Sequence, residues 1–359
     1  MVRGKPADDG QLPLFAPGPG PDAPQPAPPP GTPAAGQVGR PAAAARANLP
    51  TPGTVGAALP PPEVAELGRR LPRGLYLGGS TWSFPGWAGL VYGRSYPAPR
   101  LAREGLAAYA RHPLLRAAGI DRTHYRPLPA ADLARYAAAV PEDFLFLVKA
   151  HEACTLARFP EHARYGAERG RANPLFLDAA YAAAEVVAPY VEGLGAKGGA
   201  LLFEIAPQDL GPPPRFTARL HAFLAALPRG PLYAVELRNR ELLTADYAAA
   251  LADAGACHCL NVHPRMPDLR VQAHLAGIAA APLVVGRWLL GGGLTYEVAG
   301  KRFAPFDRLA APDPAVRRTL AALARDALAA GRRFLLTVNN NAEGSAPLSI
   351  VELAKEVLA

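Results

Sequence analysis

Along residues 71–359, short apolar runs rich in β-branched and aromatic residues alternate with longer stretches where Ala and Leu recur at helical spacing. The runs predict strands at 75–81, 120–125, 144–150, 200–205, 232–238, 257–262, 283–288 and 334–340. Helical patterns fall between them near 101–118, 130–139, 176–195, 215–227, 242–254, 268–280 and 314–330, with a last one near 346–358. The spacing from strand to strand is too long for hairpins and suits parallel βαβ units. Gly119, Gly255 and Gly331 each follow a helical pattern and precede a strand, where a left-handed helix cap is expected. Eight such units predict an α/β fold of the (β/α)8 type, a TIM barrel forming one domain over 71–359. An open doubly wound sheet is the alternative. It calls for a Gly-rich phosphate loop after the first strand, which Gly78 and Gly79 do not supply.

Residues 1–70 break the pattern. Pro, Ala and Gly dominate them, and too little apolar surface is available to offset chain entropy, so a disordered tail is expected. Repeated Pro leaves no apolar core for a secretory signal, and no apolar run is long enough to cross a bilayer. Cys154, Cys257 and Cys259 are too few for a disulfide framework. A cytoplasmic chain without a membrane partner is therefore expected. The net charge of +8 favours anionic partners, although no Lys/Arg run of nucleic-acid type is present.

Candidate chemistry sits where the strands end. Loops of a barrel converge there around a mouth, above a packed interior. The expected strands begin apolar and finish on Thr81, His124 and Tyr125, Lys149, Glu204, Glu236 and Arg238, Arg287, and Asn339 and Asn340, with His263 just beyond the sixth. Glu236 and Arg238 are two apart and share a strand face, as an acid/base or anion-binding pair or as a structural salt bridge. Lys149 ends an apolar run and reads as base, Schiff-base former, anion clamp or snorkelling strand end. Glu204 with Glu236 offers paired carboxylates for general acid/base work. Asn339, Asn340 and Asn341 suit hydroxyls or phosphate, and equally suit a turn.

A metal reading is weaker. Cys257 and Cys259 lack a second ligand pair and read as small buried hydrophobes inside a strand. His124, His151, His263, Glu204 and Glu236 all fall at strand ends, but Lys149 and Arg238 oppose a cation there. No cofactor is evident, and a divalent metal is only a minor alternative.

The run Gly79-Ser80-Thr81-Trp82-Ser83-Phe84-Pro85-Gly86-Trp87 resembles the opening signature of the YecE-like proteins, the domain of unknown function 72. Segments at 106–110, 123–127, 141–149, 201–207, 234–238 and 338–346 match that family in order, with Arg287 and Tyr296 between the last two. The resemblance covers 71–359. It implies a barrel and a site including Trp87, Tyr125, Lys149, Glu236, Arg238, Arg287, Asn339 and Asn340, but no settled reaction. The chain departs from the family at Asp121 and Arg122, at His124, at Glu204 where an amide is usual, and at Ala206. These departures point to a divergent branch.

Within the tail, Gln11, Leu12, Pro13, Leu14 and Phe15 resemble the pentapeptide that docks many bacterial DNA-metabolism proteins onto the sliding clamp. Leu14 and Phe15 would fill an apolar groove while Gln11 supplies a directed hydrogen bond. The leading expectation is an enzyme, a hydrolase, lyase or isomerase, acting on an anionic or polyhydroxyl substrate. Glu236, Lys149 and Glu204 would carry its chemistry, and Trp87, Tyr125, Arg238, Arg287, Asn339, Asn340 and His263 would bind the substrate. The alternatives are a DNA-metabolism barrel docked to the sliding clamp through Gln11, Leu12, Leu14 and Phe15, and a non-catalytic binding module.

Overall fold

A computed structural model describes residues 54–277, 281–291 and 293–359. Eight parallel strands close into a barrel in chain order: β1 (Leu75–Gly79), β2 (Ala117–Ile120), β3 (Leu145–Lys149), β4 (Gly198–Ile205), β5 (Tyr233–Leu237), β6 (Cys257–Val262), β7 (Leu283–Trp288) and β8 (Arg333–Val338). β8 pairs back onto β1 in parallel, Leu75 opposite Phe334 through Gly79 opposite Val338. Helix α1 (Pro62–Arg70) precedes β1, and α2 (Ala98–Glu104) and α3 (Leu106–Tyr109) follow it. After β2 come α4 (Arg122–Tyr125) and α5 (Ala130–Ala138); after β3 come α6 (Ala179–Ala182), a π-helical turn at Ala183–Val187 and α7 (Ala188–Leu194). α8 (Pro213–Ala226), α9 (Ala245–Asp253) and α10 (Leu269–Leu275) follow β4, β5 and β6. α11 (Tyr296–Phe303) and α12 (Pro314–Ala329) follow β7, and α13 (Ala346–Leu358) follows β8.

Strand alternation divides the apolar residues into two cores. Leu77, Phe146, Val148, Phe203, Val235 and Leu336 face outward and pack with the helices. Each such side chain contributes about 1.5–3 kcal/mol on full burial. Leu145, Leu147, Leu202, Val285 and Leu335 fill the barrel itself, interleaved with the small Ala117, Ala200, Ala234, Cys257 and Cys259. Both cysteines of the pair therefore serve as small interior hydrophobes. The three cysteines are free and buried.

Two expectations need correction. The second strand is Ala117–Ile120, and the segment expected to be that strand opens as the helical turn Arg122–Tyr125. Gly119 is accordingly a strand residue and no helix cap, whereas Gly255 and Gly331 follow α9 and α12 at φ 69° and 70°, as expected of caps. Residues ahead of β1 pack with the barrel in one compact unit. It runs Val55–Ala359, with Val55 and Val64 buried and Arg116 donating to the carbonyls of Gly68, Leu71 and Pro72 at the end of α1. The rest of the expected tail, including Gln11, Leu12, Leu14 and Phe15, lies outside the described residues. Among the described residues no helix is long and apolar enough to cross a membrane.

Candidate functional site

Inside the barrel, the rows that begin with Leu147, Leu202, Ala234 and Val285 continue two residues later with Lys149, Glu204, Glu236 and Arg287. The inward face thus changes from apolar to charged at the C-terminal end of four strands. Arg238, one residue past β5, joins them. None of the five side chains belongs to a residue more than 4 % exposed.

The five form one network. Lys149 Nζ stands 2.9 Å from Glu204 Oε2, and Arg287 Nη1 donates to the same oxygen at 2.6 Å. Arg287 Nη1 also donates to Glu236 Oε2 at 2.7 Å, and Arg238 Nε donates to Glu236 Oε1 at 2.9 Å. Arg238 Nη2 lies 3.0 Å from Glu204 Oε2 without the alignment of a hydrogen bond. Burial opposes ionisation of Glu204, but Arg238, Lys149 and Arg287 outweigh it and hold the carboxyl well below the usual range. Three cations thus face two carboxylates, and the nearest further anion, Asp121, sits at the rim, 3.9 Å from Arg287 Nη2 with its side chain 22 % exposed.

A second group borders the first on the loops after β2 and β3. Glu152 Oε2 accepts from Arg164 Nη2 at 2.5 Å and from the Tyr165 hydroxyl at 3.0 Å, and stands 3.6 Å from His124 Nε2. Burial raises the Glu152 carboxyl even against Arg164. Burial and then Lys149 hold His124 well below its ordinary value, so its imidazole is neutral at pH 7. Tyr125 lies beneath Arg164, 5.4 Å from guanidinium to ring, and burial pushes its hydroxyl up to about 12.

The other sequence candidates divide by place. Trp87 is packed in the core against Tyr109 and donates through Nε1 to Asn340 Oδ1 at 3.2 Å. Asn340 Oδ1 also accepts from Ala346 N at the start of α13, so this pair braces the loop after β8. Asn339 is half-buried and closes a turn on Asn341 N. His263 is buried, accepts from Arg265 N and faces Tyr296 with ring centres 6.3 Å apart. Among the described residues no group of three or more His, Cys, Asp or Glu side chains is placed to hold a metal ion.

Sequence reasoning missed Asn261, Tyr296 and Thr337 as mouth residues, and missed Glu152. Asn261 and Thr337 flank Arg287 in register on β6 and β8, and their two-residue spacing from Cys259 and Leu335 was a usable signal. Glu152 stands three residues past Lys149, but only the turn Glu152–Cys154 brings it back toward His124.

A family model described as a protein of unknown function, DUF72, matches residues 76–359. Two solved structures of DUF72 family proteins resemble the fold. One, from Enterococcus faecalis V583, is 17 % identical with a TM-score of 0.51, over 79 % of this chain and 95 % of its own. The other, from Thermotoga maritima MSB8, is 16 % identical with a TM-score of 0.51, over 78 % and 98 %. No curated protein matches the sequence.

Proposed function

Because the chain belongs to the DUF72 family, whose function is unknown, we propose its activity from the mouth itself: an enzyme of the cytoplasm that takes a small anionic substrate at the C-terminal face of the barrel. One observation carries this reading. Three cations and two carboxylates lie buried together, with the positive charge in excess. Desolvating such groups costs several kcal/mol per ion, and apolar residues of similar volume would often stabilise the fold as well or better. An entering anion supplies the missing charge.

Arg238, Arg287 and Lys149 receive the anion. Lys149 has donors beyond the one on Glu204, and Arg238 Nη2 has none of its hydrogen bonds made. Glu204, firmly ionised, fixes the three cations in place. Both oxygens of Glu236 are held by Arg287 and Arg238. When the substrate draws those guanidiniums, Glu236 is released to take a proton, a step that hydrolases, lyases and isomerases share. The test is thermal shift with inorganic phosphate and sulfate. The intact protein is expected to be stabilised at millimolar anion, and Arg238→Ala, checked for native circular dichroism, to lose the shift. An equal shift in the variant would sink the reading.

A second reading rests on the pentapeptide Gln11–Phe15 and the charge of +8. It makes the chain a DNA-metabolism protein delivered by the sliding clamp, its local concentration raised by the tether. A peptide of residues 5–20 is then expected to bind a bacterial sliding clamp at micromolar concentration, and to lose binding when Leu14 and Phe15 become Ala. No binding, or equal binding by the altered peptide, removes this reading.

A further inference from the structure

The mouth has a neutral half that the charged network does not use. Asn261 on β6 and Thr337 on β8 stand in register on either side of Arg287. Cys257, Cys259 and Leu335 belong to the barrel interior, so Asn261 and Thr337 continue the same inward rows. Both residues are at most 1 % exposed. Asn261 Nδ2 donates to the carbonyl of Leu237 at 3.1 Å, which fixes the amide and leaves Oδ1 as a bare acceptor. Thr337 Oγ1 has no hydrogen-bond partner.

Two more atoms share this condition. Ser80, just past β1, falls at even spacing from Tyr76, which packs on the barrel interior, and its buried hydroxyl is unpartnered. The Tyr296 hydroxyl on α11 is buried and unpartnered too, and lies close enough to Arg238, Arg287, Glu204 and Glu236 to feel their charges. Three unmet hydroxyl or amide oxygens therefore border the charged half, on β6, α11 and β8, and a fourth, on Ser80, lies one residue past β1. Buried polar groups in folded proteins are met by some partner, and each left unmet weakens the fold. Oxygens of this kind accept hydrogen bonds, and only the three hydroxyls can also donate.

We propose that Ser80, Asn261, Tyr296 and Thr337 form a hydroxyl-recognition subsite, and that the ligand of the mouth is an organic anion carrying hydroxyl groups beside its charged head, such as a phosphorylated polyol. This rests on the reading that Arg238, Arg287 and Lys149 bind the anion, and it adds which anion they select. Asn261 Oδ1 requires a donor on the ligand, since its own amide nitrogen is already committed. A site built to hydrogen-bond a hydroxyl discriminates strongly against the analogue that lacks it, because the buried groups are then left unpaired.

The test is calorimetric titration of the full chain with glycerol 3-phosphate and with propyl phosphate, which shares the head and lacks the hydroxyls. The expected result is a preference of about tenfold or more for glycerol 3-phosphate. Thr337→Val, which keeps the side-chain shape, and Asn261→Ala are each expected to cut that preference severalfold and leave propyl phosphate affinity unchanged. Thr337→Ser is expected to retain it. Equal affinity for the two phosphates, both weakened by Arg238→Ala, overturns the subsite and leaves the anion reading standing, the four oxygens then being met by water. A preference that survives in both Thr337→Val and Asn261→Ala also overturns the subsite. Binding of neither phosphate overturns the subsite and the anion reading together.

Discussion

At the scale of single residues, the titrating groups set how the protein responds to acid. Burial, and after it Lys149, holds His124 well below its usual value, and burial holds His112 and His258 at about 4. His258 is kept neutral between the Tyr247 hydroxyl at 2.9 Å and Gln272 Oε1 at 3.3 Å. In the unfolded chain each histidine takes a proton near pH 6.5. Below that pH the unfolded state binds protons that the native state refuses, so stability falls by about 1.4 kcal/mol per pH unit for each histidine. For His112 and His258 the loss levels off once about pH 4 is passed. Glu204 acts lower. Its depressed carboxyl contributes stability that is whole above the unfolded value of about 4.3 and disappears as pH drops further. Urea unfolding from pH 7.5 to 4.5 is expected to show the midpoint declining from about pH 6.5. A midpoint constant down to pH 5 would contradict three histidines held neutral in the fold.

At the scale of elements, most of the barrel was readable because its strands keep a strict alternation of inward and outward apolar residues. β2 was not. Its sequence is Ala117-Ala118-Gly119-Ile120, which resembles a helix end more than a strand. The small residues are there for proximity. A Cβ on Gly78 would lie 1.8 Å from the Ala117 carbonyl oxygen, and one on Gly119 would lie 2.5 Å from that of Ser80. The β-rich look of 120–125 drew the strand forward onto what is a turn carrying His124 and Tyr125. α1 was hidden for a different reason. Its Pro62 start continues the Pro-rich tail, and its apolar face is only Val64, Leu67 and Gly68. A chain beginning at Thr54 is expected to unfold at the same urea midpoint as the full chain. One beginning at Leu71 loses that face and the Arg116 hydrogen bond to the Gly68 carbonyl, and is expected to be less stable by about 3 kcal/mol or more. Equal midpoints for the two would return α1 to the tail.

At the scale of the whole molecule, barrel closure brings together what the sequence scatters over about 140 positions. The charged half of the site was legible residue by residue, since Lys149, Glu204, Glu236, Arg238 and Arg287 each end an apolar run. Their mutual contacts were not, because which strand ends meet across a barrel depends on tilt and stagger. The Arg287 guanidinium reaching over to Glu204 and Glu236 is the product of closure, not of local pattern. The packing of Trp87 on Tyr109 was equally hidden, because a large aromatic beside a strand end does not announce its neighbours. The central claim is that this closed network receives an anion. Crystals of the full chain soaked in tungstate locate it directly through anomalous scattering. A peak within hydrogen-bond reach of Arg238 and Lys149, absent in Arg238→Ala crystals, is the expected result. Tungstate bound only elsewhere, with the five side chains unchanged, would contradict the claim.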